Sequence, residues 1–268
     1  MAEHVYTFIG AGKMATAIAS GMVKSGIAPE TIRAYDVSDS AAAAFRKNTG
    51  ATVAASMKDA LADADVVILA VKPQYAAEAL AEAKPFLPGK LMISIAAGLT
   101  ISYLQTASGI DRVIRVMPNT PALALAGMSC YAGANGISGD DLEIAEKILS
   151  SVGIARKVSE GQLDAVTGLS GSGPAFVMEF IMALADGGVY SGLSRDAALE
   201  LALQTVYGTA KMCQESSMSI GELRDAVISP AGTTAEGIMV LQKGAFKGTA
   251  SAAVVAAAER SRELGKGK

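Results

Sequence analysis

The sequence predicts an N-terminal α/β domain, a Rossmann-type doubly wound parallel sheet, followed by an all-helical domain. Three observations carry this. Short apolar runs alternate with Ala-rich helical stretches through the first half of the chain, the pattern of βαβ units. A G-x-G-x-x-A turn, Gly10 to Ala15, follows the first of these runs. Beyond about Lys157 the β-type runs stop and helical patterning takes over.

Taken in order, residues 5–9 read as a strand, 13–25 as a helix, 31–35 as a second strand and 40–48 as a second helix. Residues 66–71, 91–95 and 113–116 read as apolar runs, the last two interrupted by Ser94 and Arg115, as expected for strands covered on both faces. Helices are expected over 175–190, 195–215, 221–227, 235–242 and 250–264, punctuated by Gly192, Pro230 and Gly248. The boundary is placed beside the Gly161-Gln162 pair, giving a dinucleotide-binding domain over 1–158 and a helical substrate and dimerisation domain over 159–268. The helical part is expected to be buried by a second subunit. Phe176, Val177, Met178, Phe180, Ile181, Met182 and Leu184 lie on more than one helical face, and a helix that is apolar all round must be covered.

Composition excludes several classes. With 268 residues, 51% hydrophobic and 18% charged, the chain has enough apolar surface for a large core and is not disordered. A net charge of −3 without a long basic run argues against a nucleic-acid partner. The two cysteines, Cys130 and Cys213, form no C-x-x-C cluster, so neither a disulfide framework nor a metal site is expected. The one histidine is His4, which excludes Ser-His-Asp hydrolysis, Cys-His proteolysis, His-dependent 2-hydroxy-acid dehydrogenation and multi-His metal catalysis. The N-terminus lacks the basic patch and apolar run of a secretory signal. Residues 174–190 are strongly apolar but carry Glu179 and Asp186, so no membrane partner and a cytoplasmic location are expected.

The cofactor signal is the first turn. In Ile9-Gly10-Ala11-Gly12-Lys13-Met14-Ala15, the first glycine permits a tight turn and the second a close approach of backbone to a pyrophosphate. The small final residue lets helix and strand pack. The helix N-terminus then offers free N–H groups and a positive dipole end. Asp36 ends the second strand, where an acidic residue accepts hydrogen bonds from a ribose 2′-OH; a solvated helix-capping Asp is the plainer reading. Arg33 and Arg46 are close enough in sequence to compensate a 2′-phosphate, which leaves NAD(H) and NADP(H) both open. Ala70-Val71-Lys72-Pro73 and Ala96-Ala97-Gly98 fall at the carboxyl ends of later strands, the ligand-binding edge of an open α/β sheet. Lys72 reads either as a cofactor contact or as a solvated surface lysine.

Three further motifs are specific. Met117-Pro118-Asn119-Thr120-Pro121, then Val166-Thr167-Gly168-Leu169-Ser170-Gly171-Ser172-Gly173-Pro174-Ala175, then Ser229-Pro230-Ala231-Gly232-Thr233-Thr234, together resemble pyrroline-5-carboxylate reductases from Phe8 to Leu264. The resemblance implies an oxidoreductase of proline biosynthesis. A nicotinamide cofactor would give a hydride to the C=N carbon of 1-pyrroline-5-carboxylate, yielding L-proline. It further implies a dinucleotide domain and an interlocking helical domain, hence a homodimer, in many members within a decamer of five dimers. It places Asn119 at the cofactor, Ser172 and Ser229 at the substrate, and Thr234 on the ring nitrogen. The chain departs from the family pattern at Ile228, Ala231 and Ser219-Ile220, which bears on the shape of the substrate loop. It also departs at Asp36, where the family is frequently neutral or basic, which bears on the usual NADPH preference.

A missing mid-chain His suits imine reduction. A protonated imine already carries its proton, so orientation and electrostatics do most of the work. The substrate carboxylate needs an anion site. Thr233 and Glu236 have capping-box spacing, which predicts a helix after Gly232 and makes the N–H groups of Gly232, Thr233 and Thr234 the candidates. An ordinary helix-capping loop is the plainer reading of this segment. Two enzyme alternatives rest on Lys211: a Tyr207-x-x-x-Lys211 pair of the short-chain dehydrogenase kind, and the lysine of a 3-hydroxyacid dehydrogenase. A dinucleotide-sensing protein without turnover is the third.

Overall fold

The computed structural model describes residues 4–265. Its parallel strands are β1 (Tyr6–Ile9), β2 (Ile32–Tyr35), β3 (Thr52–Val53), β4 (Val66–Leu69), β5 (Leu91–Ser94) and β6 (Val113–Met117). Two more follow, β7 (Gly127–Gly133) and β8 (Gly153–Lys157). Among the described residues they form one eight-stranded sheet in the order β3-β2-β1-β4-β5-β6-β7-β8. β1 and β4 are buried at every position, which is why their sequences are apolar without alternation.

Side chains alternate across the sheet and meet helices on both faces. On one face Phe8, Ile68, Ile93 and Ile114 pack with residues of α1 (Lys13–Lys24), α2 (Asp39–Thr49) and α6 (Gly139–Ser150). Phe8 and Phe45 lie ring to ring at 5.6 Å. On the other face Ile9, Val67, Leu69, Met92 and Val113 pack with α3 (Met57–Leu61), α4 (Ala76–Ala83), α5 (Ile101–Ser108) and α7 (Leu163–Val166). The chain runs outward from β1 to β3, then returns to β4 on the other side of β1. The carboxyl ends of β1 and β4 are therefore the switch point where such sheets bind ligands.

One junction departs from the expected parallel sheet: β6 and β7 are antiparallel. Residues 118–126 join them, and a parallel crossover needs a dozen residues or more. The sequence reading also missed β3, β7 and β8. β3 has two residues. β7 is closed by glycines and carries Ser129 and Cys130. β8 is largely solvent-facing.

Residues up to Ser172 and those from Ala256 form one packed unit, and Gly173–Val255 forms a second. The expected boundary at 158/159 lies inside the first unit, because Leu163 is buried in the same cluster as Val113 and Cys130. The second unit contains α8 (Gly173–Tyr190), α9 (Arg195–Glu215), α10 (Ile220–Ala226), α11 (Thr233–Lys243) and the start of α12 (Phe246–Gly265). Its helices are those expected, each starting within about four residues of its prediction. Ser194 caps α9, and Ser219 with Glu222 closes a capping box on α10. Its buried hydrophobic cluster among the described residues is Ala185, Ala198 and Ala202. Met178, Met182, Leu184, Leu201 and Leu203 stay exposed.

Candidate active site

Hydroxyl side chains cap α2, α3, α5 and α6 through Ser38, Ser56, Thr100 and Ser138. α1 starts at Gly12 with no side-chain cap. The first N–H groups of that helix point out at the switch point, ready for an anion. Gly10 has φ +97, and a Cβ there would meet the Ala70 carbonyl oxygen at 2.9 Å and Val71 Cγ1 at 3.0 Å. At Gly12 a Cβ would meet nothing within 4 Å. The first glycine is thus demanded by the fold, whereas the second keeps a space clear, as a backbone that approaches a pyrophosphate does. Ala15 is fully buried, fitting its role as the small packing residue. These features fit a dinucleotide held by the backbone N–H groups of Gly12 and Lys13.

Ile9 is buried and Met14 packs against the core, so those two offer backbone rather than side chain. Gly12 and Lys13 line a cleft of about 540 Å³ between α1 and α2, with Thr16, Ala41 and Leu125. Pro73, Ala97, Gly98 and Ser172 come together around a second cavity of about 500 Å³, with Thr167 and the Arg260, Ser261 and Leu264 end of α12. Lys72 is exposed at the start of the turn after β4, and Ala96 is buried.

Asp36 does more than the sequence reading gave it. Its Oδ2 accepts from Ala11 N–H at 2.7 Å and its Oδ1 from Ser38 N–H at 2.8 Å. It therefore fixes the glycine turn, and the Ala11 N–H is spent on it. Asn119 is likewise a clamp: Nδ2 donates to the Ser170 carbonyl at 3.1 Å and Oδ1 accepts from Met128 N–H at 2.8 Å. Ser170 belongs to a single π turn, Thr167–Gly171, closed by Ser172 N–H on the Thr167 carbonyl at 2.8 Å. Such turns recur at functional positions in helices.

The reading missed Glu160. Its Oε1 accepts from Ile101 N–H at 2.7 Å and from buried Arg115 at 3.3 Å. It braces the start of α5, just after Ala96–Gly98. A charged residue inside the apolar run of β6 was the available signal. Cys130 is buried, and burial pushes its thiol upward against the opposing charge of Arg156, which suits a packing residue rather than a nucleophile.

In the second unit, Ser229 to Thr234 form the turn into α11. Two expectations are corrected there. The N-cap is Gly232, not Thr233, and it has no side-chain cap, so Thr233 and Glu236 form no capping box. Gly232 N–H is bonded to the Ser229 carbonyl at 3.0 Å, which leaves Thr233 and Thr234 at the open first turn. A Cβ on Gly232 would strike Ser229 Oγ. Ala231 sits at φ +54, a left-handed conformation that favours glycine. Lys211 turns to Glu215 at 3.8 Å, and Tyr207 is exposed on α9.

Among the described residues no group of three or more His, Cys, Asp or Glu is placed to hold a metal. The continuous helical run Glu160–Tyr190 is long and apolar enough to cross a membrane by length and composition.

A model of pyrroline-5-carboxylate reductase dimerisation matches residues 160–264, and one of NADP oxidoreductase, coenzyme F420-dependent, matches residues 5–98. The chain is 46% identical to a pyrroline-5-carboxylate reductase of Glycine max, over 96% of this chain and 94% of that one. It is 45% identical to one of Methanosarcina acetivorans, over 97% of each. Its fold matches the Plasmodium falciparum pyrroline carboxylate reductase crystallised with NADP bound, at TM-score 0.88, 36% identity and 99% coverage of both chains. It matches the Coxiella burnetii pyrroline-5-carboxylate reductase at TM-score 0.93 and 34% identity, over 98% of this chain and 99% of that one. An uncapped α1 at the switch point, all three sequence motifs and full-length similarity agree: the chain belongs to the pyrroline-5-carboxylate reductase family.

Proposed function

We propose that this protein reduces the C=N bond of 1-pyrroline-5-carboxylate to L-proline with NADH or NADPH, the last step of proline biosynthesis. The observation that carries this reading is the clear space at Gly12 before the uncapped start of α1, in a chain related to these reductases along its whole length. Gly12 and Lys13 would hold the pyrophosphate through backbone N–H groups and the helix dipole, on a turn that Gly10 closes by donating its N–H to the Tyr35 carbonyl at 2.8 Å. Ala70–Pro73, Ala96–Gly98 and Asn119 form the wall on which the rest of the cofactor lies. When bound, the reduced nicotinamide supplies the hydride.

The chain's own residues then have a modest task. The substrate carboxylate is held by Thr233 and Thr234 N–H at the start of α11, on a turn shaped by Ser229 and Gly232. The Thr234 hydroxyl hydrogen-bonds the ring nitrogen, and Ser172 lines the substrate side. The iminium brings its own proton, so hydride addition gives a neutral amine and no acid residue is required. This accounts for a chain whose one histidine is His4.

The functional unit is a homodimer formed by the helical unit, which buries little by itself. A decamer of five such dimers is a further assembly step. The apolar run Glu160–Tyr190 carries Glu160, Asp164, Glu179 and Asp186 and lies in the dimerisation match; a partner subunit, rather than a membrane, covers it. We place the enzyme in the cytoplasm.

The test is oxidation of L-proline or thioproline at high pH, run in parallel with NAD and NADP. Cofactor reduction that depends on the amino acid supports the proposal. Nucleotide binding without turnover in either direction would favour a sensing protein instead.

A further inference from the structure

The choice between NADH and NADPH is decided at the turn after β2, and this inference rests on the nucleotide site proposed above. Asp36 follows Tyr35, the last residue of β2. Its two backbone bonds, from Ala11 and Ser38, use about half of the roughly four lone-pair positions of a carboxylate. The remaining positions are free to accept from a ribose hydroxyl. Asp39, three residues on in the first turn of α2, adds a second acidic residue to this segment.

The cations that sequence alone leaves in play are turned elsewhere. Arg33 Nη1 lies 3.5 Å from Asp63 Oδ2. Arg46 Nη2 donates to the Val53 carbonyl at 3.4 Å. Val37, between Asp36 and Ser38, is 88% exposed and apolar. A 2′-phosphate carries about −1.5 to −2 charges. At this turn it would meet Asp36 and Asp39 with both flanking arginines engaged. A 2′-hydroxyl would meet an acceptor already fixed in place by the glycine turn.

We propose that Asp36, held by Ala11 and Ser38 N–H, makes this protein selective for NADH over NADPH. Calorimetric titration of the intact protein tests it, with NADH, NADPH, 5′-AMP and adenosine 2′,5′-bisphosphate as probes. NADH and 5′-AMP should bind about tenfold or more tightly than their 2′-phosphorylated counterparts, the scale of one unscreened like-charge contact. Asp36→Asn should narrow that ratio by improving NADPH, while NADH weakens. Val37→Arg alters an exposed side chain, and should raise NADPH affinity about tenfold with little change for NADH. NADPH bound as tightly as NADH by the unaltered protein overturns the selectivity alone. Equal weakening of both cofactors in Asp36→Asn also overturns it, and leaves Asp36 as a clamp of the glycine turn. Absence of binding by all four nucleotides overturns the site and the selectivity together.

Discussion

Asn119 grips Ser170 across the sequence: its side-chain nitrogen donates to the Ser170 carbonyl at 3.1 Å while its oxygen accepts from Met128 N–H at 2.8 Å. One amide thereby joins the β6–β7 connection to the π turn. Each bond is worth about 1 kcal/mol, and a buried group left unpaired costs about 1–3 kcal/mol. Asn119→Ala should lower Tm and raise the KM for cofactor and substrate. Asn119→Asp keeps the acceptor for Met128 N–H but sets a carboxylate oxygen against the Ser170 carbonyl, so it should lower Tm as well. Equal Tm and KM for all three proteins would remove the clamp from the account.

Gly10 and Gly12 should fail in different ways. Gly10→Ala puts a Cβ 2.9 Å from the Ala70 carbonyl oxygen at φ +97, where an L-residue pays roughly 1–2 kcal/mol before any clash. It should destabilise the protein. Gly12→Val has open space in the structure, so the fold should survive and nucleotide binding should be lost. Thermal unfolding and nucleotide titration, measured on both variants, separate these outcomes. Unchanged nucleotide affinity in Gly12→Val would move the pyrophosphate elsewhere.

The helical unit should not exist as a monomer. Its buried hydrophobic cluster among the described residues is three alanines, while Met178 and Met182 of α8 and Leu201 and Leu203 of α9 face outward. Light scattering at micromolar concentration should give a mass of twice 27.2 kDa or a larger multiple. Met182→Glu should dissociate the assembly or lower its Tm. A stable monomer of the unaltered chain would contradict the assignment.

Acid should loosen the start of α6, where Asp141 holds Arg112. Burial raises the pKa of this carboxyl, but hydrogen bonds and charge from Arg112, with Ser138, outweigh it and hold it below its ordinary value. Arg112 donates twice, at 3.2 and 2.6 Å. A carboxyl whose pKa is lowered by folding stabilises the protein above the unfolded value, about 3.9, and loses that contribution as pH falls through the folded value. Tm should therefore decline below about pH 4. Asp141→Asn should lose roughly 1–3 kcal/mol at pH 7 and show a shallower acid decline. An acid decline unchanged by the substitution would assign it to other carboxylates.

Much of this was legible in the sequence because each signal had a local cause. Buried parallel strands read as apolar runs such as 66–71, and the glycine turn followed from the conformation needed at Gly10 and the clear space needed at Gly12. The open start of α1 read from the residue types of one turn. What escaped depended on partners distant in sequence. Asp36 reads as a ribose acceptor, yet its clamp on Ala11 appears only once β1 and β2 lie side by side. Glu160 carries no mark until Arg115 and the start of α5 meet it. The cap at Gly232 was misread because Thr233 and Glu236 have the spacing of a capping box, while the chain enters α11 one residue earlier.

The central claim, imine reduction with the substrate held at Thr234, is tested most directly by steady-state reduction of 1-pyrroline-5-carboxylate, with L-proline identified as product. Thr234→Ala and Thr234→Ser are assayed beside the unaltered enzyme. Proline should form in step with cofactor oxidation. Alanine should lower kcat/KM for the imine by roughly 5- to 150-fold, the equivalent of a lost hydrogen bond of about 1–3 kcal/mol, with cofactor affinity unchanged. Serine, which keeps the hydroxyl, should recover most of the activity. Cofactor oxidation without proline would contradict the reaction, and alanine and serine variants both as active as the unaltered enzyme would contradict the role of Thr234.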